Sequence, residues 1–238
     1  FGDLQLWYIP RFRERTFNDN HGHPSSGLNV TTSLYERPEG KEAADIAARF
    51  STFLGDWDFA ASGFKGTARE PLIAPNQGSS ALNATYMLQE TIGFEAQFTG
   101  DPTLLKWESL HGTQSGAGFD AAVAGLEYTL YGAFGQVWDL GLIAEGQDDT
   151  RPQAAAERFY SAGLRLVLND VKNTSFLALI SQDQRQEQSL IAFEASRRLN
   201  DWSSLELRSQ FYDAQKSGLA FSGIANDDVI SLTVNMFF

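Results

Sequence analysis

Apolar and polar side chains alternate along much of this chain. In LQLWYIPRFRER, Leu4, Leu6, Tyr8 and Phe12 share one parity, while Gln5, Trp7, Arg11, Arg13 and Arg15 share the other. Successive side chains of an extended strand point to opposite faces, so the stretch predicts a β-strand with one oily face and one polar face. The pattern returns in ADIAARFSTFL, where Ile46, Ala48, Phe50 and Leu54 oppose Asp45, Arg49 and Ser51. GLEYTLYGAF sets Leu126, Tyr128, Leu130 and Phe134 against Glu127, Thr129 and Tyr131. WDLGLIAEGQ, YSAGLRLVLN, LELRSQFY and the closing ISLTVNMFF read the same way. About twelve such segments are expected, most near the ~10 residues that a tilted membrane strand needs.

The connections alternate too. Tight links are expected at GD (55–56), TGDP (99–102), GQV (135–137), NDVKN (169–173) and LNDW (199–202). Between them lie longer polar stretches: RERTFNDNHGHPSSGLNVTTSLYERPEGKE, GTAREPLIAPNQGSSA, HGTQSGAGFD, QDDTRPQAAAER and AQKSGLAFSGIANDD. QDQRQEQ, near 182–188, is a short exception. Short turns on one rim and long loops on the other are the habit of transmembrane barrels. Trp57, Trp138 and Trp202 each sit just past a tight turn, where an interfacial aromatic belt would lie. Trp57 and Trp138 share the oily parity; Trp202 does so only if a bulge intervenes.

Composition narrows the class. The 238 residues carry 18 Lys plus Arg against 30 Asp plus Glu, a formal charge of -12, which argues against nucleic-acid binding. Without cysteine there is neither a disulfide framework nor a thiolate metal site. The longest strongly apolar run, FLALI at 176–180, is far short of the ~20 residues of a spanning helix.

A soluble β-sandwich would alternate as well. Charge on the polar parity of many strands favours a barrel, because a water-filled lumen accepts it: Arg49, Lys106, Glu127, Glu145, Arg165, Glu194, Glu206 and Arg208, with Arg11, Arg13 and Arg15 near the outer mouth. Closure also removes the exposed edges that a dozen strands would otherwise leave. The expected fold is all-β, an antiparallel up-and-down transmembrane β-barrel in which 1–238 form a single domain.

The last strand, ISLTVNMFF, ends on Phe238 with Leu232, Val234 and Met236 at alternate positions before it. This resembles the terminal signature of Gram-negative outer-membrane proteins. The resemblance implies recognition by the barrel assembly machinery, tight turns toward the periplasm and long loops outside. More widely, PRFRERTF, GDWDFAASGFKGTAREP, GFEAQFTGDPTLLKWESLHGTQSG and RLVLNDVKNT look like a group of uncharacterised outer-membrane, porin-like barrels from Gram-negative bacteria. Members of that group are longer, so the resemblance implies that this chain is the C-terminal portion of a larger barrel. It implies an outer-membrane location and contact with lipid and lipopolysaccharide, and it brings no substrate or catalytic residue.

Candidate chemistry is sparse. Arg11, Arg13 and Arg15 would stand ~7 Å apart on one strand face, twice the strand rise, either as a basic track for anionic solutes or paired with acids of neighbouring strands. His21 and His23 in HGHP offer two ligands, a poor metal site. Ser109 and His111 in ESLHG share a strand face, as the Ser–His pairs of barrel phospholipases do, with no evident third group or oxyanion donor. No catalytic residue, cofactor or metal is therefore assigned. The expected function is passive, porin-like passage of small hydrophilic solutes. The alternative is a structural or interaction barrel with a plugged lumen, whose loops bind a partner or lipopolysaccharide.

Overall fold

A computed structural model describes residues 2–19, 28–76, 81–151, 153–154, 157–185, 187–216 and 221–237. Fifteen strands are present among them, with no α-helix and one 3-10 turn at Gly40–Glu42. The first eight strands are β1 (Asp3–Ile9), β2 (Val30–Tyr35), β3 (Asp45–Leu54), β4 (Trp57–Thr67), β5 (Leu72–Pro75), β6 (Leu82–Tyr86), β7 (Leu88–Gly100) and β8 (Thr103–Gln114). Then come β9 (Ala117–Ala133), β10 (Trp138–Asp149), β11 (Arg158–Val167), β12 (Ser175–Asp183), β13 (Gln188–Asn200), β14 (Ser203–Ala214) and β15 (Val229–Met236). Twelve of them form one sheet in the order β1-β3-β4-β7-β8-β9-β10-β11-β12-β13-β14-β15, and β2-β6-β5 form a small second sheet. In the large sheet β1 and β15 end the order, and no pairing joins them among the described residues.

The chain groups into two compact units, residues 1–98, 106–123 and 147–157, and residues 99–105, 124–146 and 158–238. In the first, antiparallel register lines up the oily parity across strands: Leu6 opposite Ala48, Ala48 opposite Gly63, Gly63 opposite Ile92. In the second, Leu166, Phe176, Ala195, Leu207 and Leu232 form one such row. Register is what matters here, because a slip of one residue would turn every side chain to the opposite face.

The oily rows are not buried. Leu6 is 72% exposed, Ile92 66%, Leu164 52% and Leu232 65%. A sandwich would hide these side chains between its sheets. The core that does exist lies in the first unit, where Phe12, Tyr35 and Tyr86 pack with ring centroids 4.8–6.2 Å apart. That small core belongs to the connections, not to the large sheet.

The tight turns follow local chemistry. Leu54 pairs with Trp57 across Gly55–Asp56, and Gly55 supplies the positive φ of +60°. Asn200 Oδ1 accepts from the Trp202 amide at 3.0 Å and the Ser203 hydroxyl at 2.9 Å. A register shift falls between Arg198 and Asn200 on β13, ahead of Trp202, and so leaves Trp202 off the parity of Leu205 and Leu207. Rings gather at these turns: Trp57 stacks on Phe59 at 5.7 Å, and Trp138 meets Phe134 edge-on at 6.4 Å.

Three expectations need correction. First, the strand predicted over Leu4–Arg15 stops at Ile9, because Pro10 has no N–H to donate to a ladder. Arg11, Arg13 and Arg15 therefore lie outside any strand, and Phe12, 5% exposed, enters the aromatic core instead of the oily face. Second, HGTQSGAGFD is a tight hairpin between β8 and β9, since Ser115 (φ 50°) and Gly116 (φ 76°) both take the left-handed conformation that a two-residue turn requires. Third, two long connections carry the unforeseen strands β2, β5 and β6, and β2 pairs with β6 in parallel.

One buried carboxylate ties these connections to the large sheet. Asp45, fully buried at the start of β3, accepts from Arg69 Nη2 at 2.8 Å, the Thr67 amide at 2.9 Å and Arg37 Nη1 at 3.3 Å. Gly66 makes the room, because a Cβ there would lie 2.3 Å from Asp45 Cγ. Asp45→Ala strands two guanidinium groups and is expected to cost about 2–3 kcal/mol, at or below the low end for buried pairs because both arginines reach water. Limited proteolysis checks this: cleavage within 10–44 should accelerate, while cleavage at the turn near 200–203 should not change.

Candidate functional site

The polar parity of the large sheet carries the candidate site, and each unit builds its share in the same way. In the first unit, Arg49 on β3 meets Glu95 on β7 through two contacts, Nη2 to Oε2 at 2.6 Å and Nε to Oε1 at 3.2 Å. Strand β4 lies between them, with Ser62 opposite Arg49 and Ala60 opposite Glu95. These small side chains let the bidentate pair close over the middle strand. Asp3, Lys106 and Glu108 join the pair around a cavity of about 560 Å³.

In the second unit, Arg165 on β11 donates to Glu127 on β9 at 2.6 Å. The two reach over Gly141 of β10, where a Cβ would lie 3.2 Å from Glu127 Oε1 and 3.4 Å from Arg165 Cβ. Glu194 and Arg208 are direct cross-strand partners with their charged atoms 4.0 Å apart. Arg208 also approaches Glu206 at 3.5 Å, and Asn235 donates to Glu206 at 3.1 Å. Arg165, Glu194, Glu206 and Arg208 border a cavity of about 370 Å³. Glu145 lies near Gly125, its Oε2 3.8 Å from where a Cβ would stand.

Both signs therefore alternate on this face. Exposed ion pairs of this kind contribute about 0–1 kcal/mol each, so stability is a weak reason for so many. A hydrated surface with mixed charge and no single-sign field accounts for them better.

The three N-terminal arginines sit elsewhere. Arg11 pairs with Glu42 at 2.9 Å and Arg15 with Glu70 at 3.5 Å, while Arg13 is exposed. Arg151 joins the Glu70 group at 3.8 Å and is held charged mainly by its hydrogen bonds to Asp149. These are individual links among connections. They do not form a ladder, because the chain after Pro10 has left the sheet.

His111 Nδ1 lies 2.7 Å from Asp120 Oδ1, whereas the Ser109 hydroxyl donates to the Phe94 carbonyl at 3.5 Å. The histidine thus has its carboxylate, but the serine is engaged elsewhere. His21 and His23 lie outside the described residues, as does Phe238. Leu232, Val234 and Met236 share one exposed face of β15. Among the described residues no group of three metal-ligating side chains comes together. Sequence reading missed Glu95 and Asp45 as partners. Glu95 lies on the polar parity of IGFEAQF, which is the one signal that could have found it.

No family model matches the chain, and no curated protein or solved structure is similar to it.

In the aromatic core, burial and the Tyr35 hydrogen bond to Glu14 raise the Tyr35 hydroxyl well above its ordinary value, and burial raises Tyr86. A phenol whose folded pKa is raised stabilises the fold below the unfolded value of about 10 and loses that contribution as pH rises toward the folded value. Alkaline titration should therefore loosen this core. Tyr35→Phe should remove most of that dependence, as read by near-UV circular dichroism.

Proposed function

We propose that the chain is a transmembrane β-barrel of a Gram-negative outer membrane, and that it passes small hydrophilic solutes passively along its charged face. The observation that carries this reading is the separation of the two faces. Leu164 and Leu232 stand exposed on the oily parity and Leu166 is half-buried there, while Arg165, Glu194 and Arg208 stand on the opposite parity in ion pairs. Only a solvent that is itself oily makes the first face stable, and only water or close pairing makes the second stable. Tight turns followed by Trp57 in the first unit, and by Trp138 and Trp202 in the second, agree with an interfacial belt.

The reading includes closure of the sheet in the bilayer. An open edge exposes a row of backbone N–H and C=O groups that hydrocarbon cannot satisfy, so both β1 and β15 need partners there. A second reading, an interaction barrel with an obstructed lumen, gains weight from one feature. The connections of the first unit are ordered into a sheet with its own core, as a structure that covers or binds would be.

Liposome swelling discriminates between them. The channel reading predicts entry of small sugars into proteoliposomes, and Arg49→Ala should shift cation-over-anion permeability in planar bilayers. No flux by folded protein would reject it in favour of the interaction barrel. Independently, Leu232→Arg is expected to destabilise the bilayer-inserted protein by about 2–4 kcal/mol if residue 232 lies near the midplane, measured by denaturant titration in vesicles. An effect near zero would place that face in water.

A further inference from the structure

One part of the polar face holds charge of both signs that is not paired off. In the first unit, Asp3, Ser51, Ala60 and Glu95 form a row across β1, β3, β4 and β7, and Phe53, Asp58 and Gln97 form the next row toward the tight turn. Strand β8 continues both rows. A Cβ on Gly93 would lie 2.9 Å from Leu110 Cδ2, and antiparallel counting from that contact sets Glu108 level with Glu95 and Lys106 level with Gln97.

All these residues border the cavity of about 560 Å³, a size within the ~300–1,000 Å³ of small-molecule sites. Arg49 and Glu95 neutralise each other at one side, and Asp3 accepts from Gln5 Nε2 at 2.8 Å. Asp58, Lys106 and Glu108 remain. All three are exposed, and none has an ion-pair or hydrogen-bond partner among the described residues. The floor between them is low, because Ser51 and Ala60 are small. Beside Asp58 stands Phe53, 71% exposed although it lies on the polar parity. A bare ring next to a carboxylate suits an organic cation, which the ring face attracts and the carboxylate pairs with.

Lys106 and Glu108 are two strand rises apart, about 7 Å, and Asp58 lies two strand spacings from Lys106, about 10 Å. One ammonium beside one carboxylate, with a second carboxylate further off, complements a carboxylate and an amine on one carbon and a second cation on an aliphatic stem. We propose that this cavity binds a basic amino acid, its carboxylate on Lys106, its α-amino group on Glu108 and its side-chain cation on Asp58 against the Phe53 ring. A sugar uses none of the three charges, and a diamine leaves Lys106 facing a like charge. The inference deepens the channel reading above and rests on its placing this charged face in water. Contacts this exposed predict a dissociation constant on the order of 1 mM, weak enough for a solute to leave again.

The test compares two ligands that differ in the carboxylate alone. The full chain in detergent micelles at low salt is titrated with L-lysine and, separately, with cadaverine, each followed by saturation-transfer NMR of the ligand. The expected result is saturable binding of L-lysine, about fivefold tighter than that of cadaverine. Lys106→Met should weaken L-lysine about fivefold and leave cadaverine no weaker, whereas Asp58→Asn should weaken both. Gel mobility checks that each variant is folded, and the comparison of ligands on the unmodified protein stands apart from both. Equal binding of the two ligands, or L-lysine held undiminished by folded Lys106→Met, would overturn the inference. Sugar entry into proteoliposomes without saturable L-lysine binding rejects this site alone. L-lysine binding without any solute flux upholds the site and rejects the channel.

Discussion

Everything in this structure turns on what solvates the apolar parity of the large sheet. Twelve strands align leucines, isoleucines and phenylalanines in rows, and no second layer covers those rows among the described residues. In water, leaving one leucine side chain exposed instead of buried forfeits about 1.5–3 kcal/mol, and the exposed rows hold many such side chains. A folded domain is stable by only about 5–15 kcal/mol in total, so a few rows of this kind exceed the margin. In hydrocarbon the same rows carry no penalty, and the backbone ladder becomes the dominant requirement.

The opposite face follows from the same constraint. Its arginines and glutamates contribute little as exposed pairs, but they are compatible with a polar environment and with little else. Arg49 with Glu95 and Arg165 with Glu127 reach over a middle strand whose facing residues are Ala60 and Ser62 in one case and Gly141 in the other. Small residues on the polar face thus serve charge pairing.

How much of this could be read from sequence depended on the range of the interaction. The alternation of β11 through β15, their tight turns and the size of the large sheet were legible, because side-chain parity and turn residues are local properties. The strand through Arg15 was over-extended, since the alternation continues past a proline that the hydrogen-bond ladder cannot pass. The hairpin at Ser115–Gly116 was hidden inside a polar run that resembles a loop. The small sheet was not legible at all: β2 and β6 are distant in sequence, and what holds their surroundings is Asp45 gathering Arg37, Arg69 and the Thr67 amide. Charged residues of the candidate site were visible as types and parity. Their partners were not, because Arg49 finds Glu95 only once the register of β3, β4 and β7 is set.

The absence of cysteine allows a direct test of the central claim. Single cysteines at Leu164, Arg165 and Leu166 can each carry a nitroxide in the vesicle-reconstituted protein, and relaxation by oxygen and by a water-soluble nickel chelate reports which solvent each one meets. The account predicts oxygen-dominated relaxation at 164 and 166 and nickel-dominated relaxation at 165, a period of two with hydrocarbon on one side. Nickel access at all three positions, or protection of 164 and 166 from both reagents, would contradict it.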